Sequence, residues 1–273
     1  MTDPVSTVTL GAVTAYLAKD GIQKLLGPTA DYLGDNLQGF VKKRHENLKN
    51  IFEKAEENLG DDIELDGAVP PKVLKVIVND GSYSDDHLSQ AYFAGVLASS
   101  RSPVGRDDRG ARLARLVDSL SSYLVRAHYI FYHSFFNTIQ GEKLNLFDGG
   151  ELQRRNIFIP LNGFLAAMDF SDEEMNDLSE MVGHILYGLA KEGLIQERMY
   201  FGNAEHLEKQ HPNNKTVNFD KGGVIFSPST FGIELFSWGL GKGQIGISNL
   251  LKSEKAAPLL ETRLLEKLQP KKI

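Results

Sequence analysis

SDEEMNDLSEMVGHILYGLAKEGLI (171–195) and VIFSPSTFGIELF (224–236) decide the reading of this chain. The first stretch opens with Ser171 and Glu174 at the spacing of a capping box, in which each side chain satisfies a backbone donor of the other residue. Behind the cap, Met175, Leu178, Met181, Val182, Ile185, Leu186 and Leu189 recur in steps that put them on one side of a helix. Gly193-Leu194-Ile195 ends that run, and Val224-Ile225-Phe226 reads as a strand. Ser227-Pro228 then leads into a last apolar helix, Phe231 to Trp238. Over 171–240 the order is helix, helix, strand, variable loop, strand, helix, which suits a winged-helix-like module. A helical bundle ending in a hairpin has nearly the same spacing.

Upstream the signals are helical. Residues 4–26 form one segment with Val13, Tyr16 and Leu17 on its apolar face, stopped by Gly27-Pro28. Pro28 suits the first turn of a second helix running to about Leu59. Leu33, Leu37, Phe40, Val41, Leu48, Ile51, Phe52, Ala55 and Leu59 make its stripe, with Lys42, Lys43, Lys49, Glu53, Glu56 and Glu57 opposite. A polar linker follows at 60–68, then a short helix from Lys72 to Val78 behind Pro70-Pro71. Ser84 is placed to cap a helix reaching Ala98, and 99–110 reads as a loop. Leu113, Leu116, Val117, Leu120, Leu124, Ala127 and Phe131 then predict one long helix from Ala111 to Ile139. Alternation at Lys143–Phe147, the turn Asp148-Gly149-Gly150 and the β-rich Asn156–Pro160 predict a hairpin or small ribbon. The expected fold class is therefore mainly α: an N-terminal helical bundle over 1–140, a winged-helix-like α+β module over 141–240, and a glycine-rich linker with an amphipathic tail over 241–273.

Composition narrows the chemistry. With 41% hydrophobic and 24% charged residues in 273, a sizeable core is expected rather than disorder. The formal net charge of −6 works against nucleic acid and anionic lipid unless a local basic patch overrides it. The absence of cysteine excludes disulfides, thiolate nucleophiles, Cys-ligated zinc and iron–sulfur clusters. MTDPVSTVTLGAV lacks the basic start of a secretory signal, and no apolar run reaches the roughly 18 residues of a membrane span, so a cytoplasmic location is expected.

No motif carries catalysis. Gly239, Gly241, Gly243 and Gly246 contain a G-x-G-x-x-G string, but a helical stretch precedes it where a dinucleotide site needs a strand. A linker is the expected role. His128 and His133 are five apart, about 140° around a helix, so they are misphased for a shared metal. Their neighbours Tyr129, Phe131, Tyr132, Phe135 and Phe136 point to core or interface. Glu173-Glu174 suits the positive end of a helix dipole, and Asp61-Asp62 sits in the linker. There is no G-x-S-x-G, S-x-x-K or Walker sequence. Carboxylate sites leave no short signature, but no catalytic, cofactor-binding or metal-ligating residue is expected.

A winged helix raises the question of DNA. The segment in recognition position, Ser179 to Glu192, carries Glu180, Lys191 and Glu192, one base against two acids. Readers of DNA place Arg, Lys, Asn or Gln there. Over 196–223, Arg198, Lys209, Lys215 and Lys221 are offset by Glu197, Glu205, Glu208 and Asp220. This argues against nucleic acid and for protein contact. Lys42-Lys43-Arg44 reads as a solvated helix face. The tail from Lys242 holds seven basic and three acidic residues around Leu260, Leu264, Leu265 and Leu268. It could dock on its own domain, bind a partner helix, or lie on an anionic membrane surface.

Four strings share an order with one known family: Leu26–Gly34 (LGPTADYLG), Val69–Leu74 (VPPKVL), Leu88–Ser99 (LSQAYFAGVLAS) and Phe226–Phe236 (FSPSTFGIELF). Together they resemble the abortive-infection alpha (Abi-alpha) family of bacteria over residues 25–240. Where that family has Leu-Thr-Pro-x-Gly, this chain has extra residues between Pro228 and Gly232. The resemblance implies a role in defence against bacteriophage and transfers no site residue. The expected function is a non-enzymatic sensor or recruiter that self-associates and meets a second defence protein or a phage component. A DNA-binding regulator and a membrane-surface protein are the alternatives.

Overall fold

The computed structural model describes residues 37–252 and 258–273. The helix expected over 4–26, the start of the next at Pro28 and the Leu26–Gly34 string lie outside the described residues. The protein is mainly helical with a small four-stranded antiparallel sheet. The chain divides after Lys49 into two compact units. In chain order the helices are α1 (Leu37–Leu59), α2 (Pro71–Asn79), α3 (His87–Ser99), α4 (Arg109–Ser119), α5 (Ser122–Thr138), α6 (Gly149–Gln153), α7 (Leu161–Met168), α8 (Asp172–Asn176), α9 (Leu178–Lys191), α10 (Ala204–Gln210), α11 (Thr230–Gly239) and α12 (Thr262–Lys267). The strands are β1 (Ile157–Pro160), β2 (Tyr200–Gly202), β3 (Gly223–Phe226) and β4 (Lys271–Lys272).

In the second unit one main core draws on elements both before and after residue 140. Its centre is α3, buried on every side from Leu88 to Ser99, as a helix apolar all round must be. Helix α11 lies against α3 so closely that a Cβ on Gly95 would overlap the Gly239 carbonyl. The Ser99 hydroxyl donates to the Trp238 carbonyl across the same contact (3.1 Å).

Three expected elements take another form. The helix expected from Ser84 starts at His87, because Asp86 accepts from both the backbone N–H and the hydroxyl of Ser89 (2.8 and 2.7 Å). The single helix expected over 111–139 is α4 and α5, separated by an extended Leu120 and restarted by the Ser121 cap. The apolar stripe stays in phase across that break, so periodicity hides it. The hairpin expected over 143–160 does not form. The Asp148 carboxylate takes the Gly150 and Glu151 amides (2.8 and 3.1 Å), which turns the predicted turn into the start of α6. β1 instead pairs with β3 and β4.

The sheet order is β2-β3-β1-β4. Register sorts its side chains cleanly. Ile157 faces Phe226 and Ile159 faces Val224, and this row joins the main core, where Phe131 of α5 stacks on Phe226 with ring centroids 4.3 Å apart. Phe158, Ile225 and Tyr200 form the row on the opposite face. That row meets Leu207 of α10, Val217 and Phe219 in a separate small core. The tail docks on its own domain: Leu265 and Leu268 are buried, and β4 closes one edge of the sheet. Lys272 and Arg155 both reach Glu142, at 2.7 and 3.5 Å.

Candidate functional site

Helix α9 presents one face to the core and one outward. Val182, Ile185, Leu186 and Leu189 are buried. Glu180, His184, Tyr187 and Lys191 recur at i, i+4, i+7 and i+11 on the outer face, and Tyr187 is 72% exposed. The stripe carries one acid and one base. Its only described side-chain tie is the hydrogen bond between His184 Nε2 and the Ser121 hydroxyl (3.3 Å).

The helix ends in a Schellman motif. The Leu194 N–H donates to the Leu189 carbonyl (2.8 Å) and Gly193 N–H to the Ala190 carbonyl (2.9 Å). Gly193 holds φ +69°, a conformation that favours glycine. The reversal sends the chain past the start of α11, where Ile195 bridges Pro228. Between that bridge and the Tyr200–Ile225 pair, residues 196–199 face only 226 and 227. The surplus forms a bulge, which turns side chains away from the regular alternation. It presents Glu197 and Arg198 at a cleft of about 530 Å³, lined also by Gln153, Ala190, Gly193, Ile195, Gln196 and Ser229.

The cleft floor is held firmly. The Ser229 hydroxyl donates to the Gly193 carbonyl (2.6 Å) and accepts from the Gly232 N–H (2.9 Å), capping α11. The Tyr132 hydroxyl donates to the Leu194 carbonyl and accepts from the Ser229 N–H (3.0 Å). Gln196 donates from its side chain to the Pro228 carbonyl (3.3 Å). Arg198 Nε donates to the Tyr200 hydroxyl (3.1 Å). Behind it, His211 packs edge-on to Tyr200, and burial, with Arg198 second, pulls its pKa below the usual histidine value.

Sequence reading does not single out this cleft. The polar run Gln196-Glu197-Arg198 is its one local trace, and Gln153 and Ser229 arrive from other elements.

The residues that sequence singles out fall elsewhere. His128 is fully buried on α5: Nδ1 accepts from the Tyr92 hydroxyl (2.8 Å) and Nε2 donates to the Gly232 carbonyl (3.1 Å). Burial pushes its pKa down to about 3, against a small opposing pull from the Gly232 carbonyl, so it is neutral. This tautomer ties α3, α5 and α11 together. His133 bonds Asn137 instead (2.8 Å), apart from His128. Among the described residues no three His, Asp or Glu side chains are placed to share a metal. No described helix is long and apolar enough to cross a membrane.

Glu174 completes the capping box, accepting from the Ser171 N–H (2.7 Å), and also accepts from the Tyr123 hydroxyl. Asp61 and Asp62 sit in an exposed 3-10 turn, Gly60–Glu64. In the first unit Lys42 pairs with Glu46 at 3.8 Å. The glycine string is anchored to α3, the Gly243 N–H and Gln244 side chain both donating to Ser99 (3.0 and 2.6 Å). Comparisons with protein-family models, curated proteins and solved structures found no match to this chain.

Proposed function

We propose that this chain is a non-enzymatic protein-contact factor of bacteriophage defence, a sensor or recruiter of the abortive-infection alpha kind that acts through self-association and a second defence protein or phage component. In this reading an N-terminal helical bundle precedes a winged-helix-like module whose recognition helix has turned from DNA to protein. The order β1, α7, α8, α9, β2, α10, β3, with β3 between β1 and β2 in the sheet, supports the module. Three of the strings that resemble the family form α2, α3 and the β3–α11 segment, and α3 packs against both α2 and α11.

The observation that carries the reading is the outer face of α9. Its charges balance, and its centre is an exposed tyrosine. Tyrosine supplies a large, stiff contact with a polar tip, a frequent anchor of protein interfaces. Phosphate contact needs a surplus of cations, which this face lacks.

The test is plaque formation on cells expressing the chain. Protection is expected from the wild type and lost with Tyr187→Ser at equal protein level. Wild-type cells as sensitive as empty-vector cells would refute the defence role. A salt-dependent gel shift with duplex DNA would move the reading to a DNA-binding regulator.

A further inference from the structure

The surface around the cleft holds its own complement. Phe147 is 62% exposed on the loop entering α6. The Thr230 hydroxyl donates to the Leu146 carbonyl (3.1 Å), setting that loop beside the first turn of α11, whose cap Ser229 lines the cleft. Tyr187 stands one turn before Ala190, another lining residue. Two exposed aromatic side chains thus stand on segments that lead to an opening of about 530 Å³, though neither is among its lining residues. At that opening Glu197 and Arg198 are exposed, adjacent and opposite in charge, and neither has an ion-pair partner among the described residues.

A two-fold interface uses one patch twice, so each feature must meet its complement on the same patch. A surface of a single charge sign repels its copy, whereas an adjacent acid and base pair with their counterparts across the axis. Aromatic anchors entering a pocket are the usual centre of such contacts. We propose that a second copy of this chain docks here about a two-fold axis. The aromatic rim of each copy enters the other's cleft, and Glu197 and Arg198 pair reciprocally. This rests on the self-association part of the proposed function and names its surface.

Sedimentation velocity of the full chain across the micromolar range tests it. The wild type is expected to dimerise. Phe147→Ser and Tyr187→Ser should each weaken the dimer at least about tenfold. Glu197→Arg and Arg198→Glu should each dissociate it, and the double swap E197R/R198E should restore it. All four positions of change are on exposed side chains, and far-UV circular dichroism checks that the fold persists. A monomeric wild type, a dimer indifferent to these variants, or a double swap that stays monomeric would each overturn the proposal. Plaque assays on the same variants separate the two ideas. Protection by a chain that stays monomeric removes this dimer and leaves the wider reading, while an intact dimer without protection removes the defence role alone.

Discussion

Ile225 and Phe226 are neighbours on β3, yet their side chains enter cores of very different extent. Phe226 stacks on Phe131 within the main core, alongside Ile157, Phe164 and the helices around α5. Ile225 points the other way, into a cluster of Phe158, Leu207, Val217 and Phe219. One face of the sheet therefore holds the fold together, and the other holds only α10 and the segment before β3. The bulge and cleft lie where these two regimes meet. An interaction surface there has a rigid floor, set by Tyr132 and Ser229, and a wall at Glu197 and Arg198 that runs on into β2.

The largest effect should come from the main face. Phe226→Ala should cost about 3–5 kcal/mol in global stability, read from denaturant unfolding. A loss as small as that of an exposed substitution would break the distinction between the two cores.

The next effect is one of pH. His128 has a folded pKa below its unfolded value, so the unfolded chain binds more protons at intermediate pH. Its contribution to stability is complete above about 6.5 and declines as pH falls toward about 3. The decline reaches up to about 1.4 kcal/mol per pH unit. His128→Gln should lower stability at neutral pH and remove that share of the slope between pH 6 and pH 4. Equal slopes in both proteins would show that His128 does not carry it.

Phe219→Ala sharpens the comparison from the other side. It should speed amide exchange in β2 and α10 at least about tenfold while main-core amides stay protected, because the small core opens locally. Uniform acceleration across both cores would mean that they are one cooperative unit. The smallest effect is expected at the far edge of the sheet. Glu142→Gln weakens the contacts of Lys272 and Arg155, all partly exposed, and should cost no more than about 1 kcal/mol with fraying confined to β4.

Local signals that are complete within a few residues were legible. The Ser171–Glu174 capping box needs only its own turn, and it forms. The buried and outer faces of α9 follow from spacing alone, and so does its near-neutral charge. The break at Leu120 and Ser121 escaped because neither Gly nor Pro marks it. The β-branched and aromatic make-up of β1 was visible, but its partners were not: a pleated strand states which side chains share a face and leaves open which strand lies beside it. The cleft was illegible for a related reason, since its walls come from α6, α9, the bulge and the cap of α11.

By itself, the sequence determined a mainly helical chain, the caps and faces of several helices, and the absence of thiol chemistry. These follow from backbone geometry and side-chain spacing within a turn or two. Tertiary structure alone decided that β1 pairs with strands far along the chain, that the basic tail buries its leucines at home, and that His128 is a neutral strut between three helices. Each of those outcomes depends on competition among distant apolar surfaces and polar groups for burial. That competition is settled only when all the partners are present together.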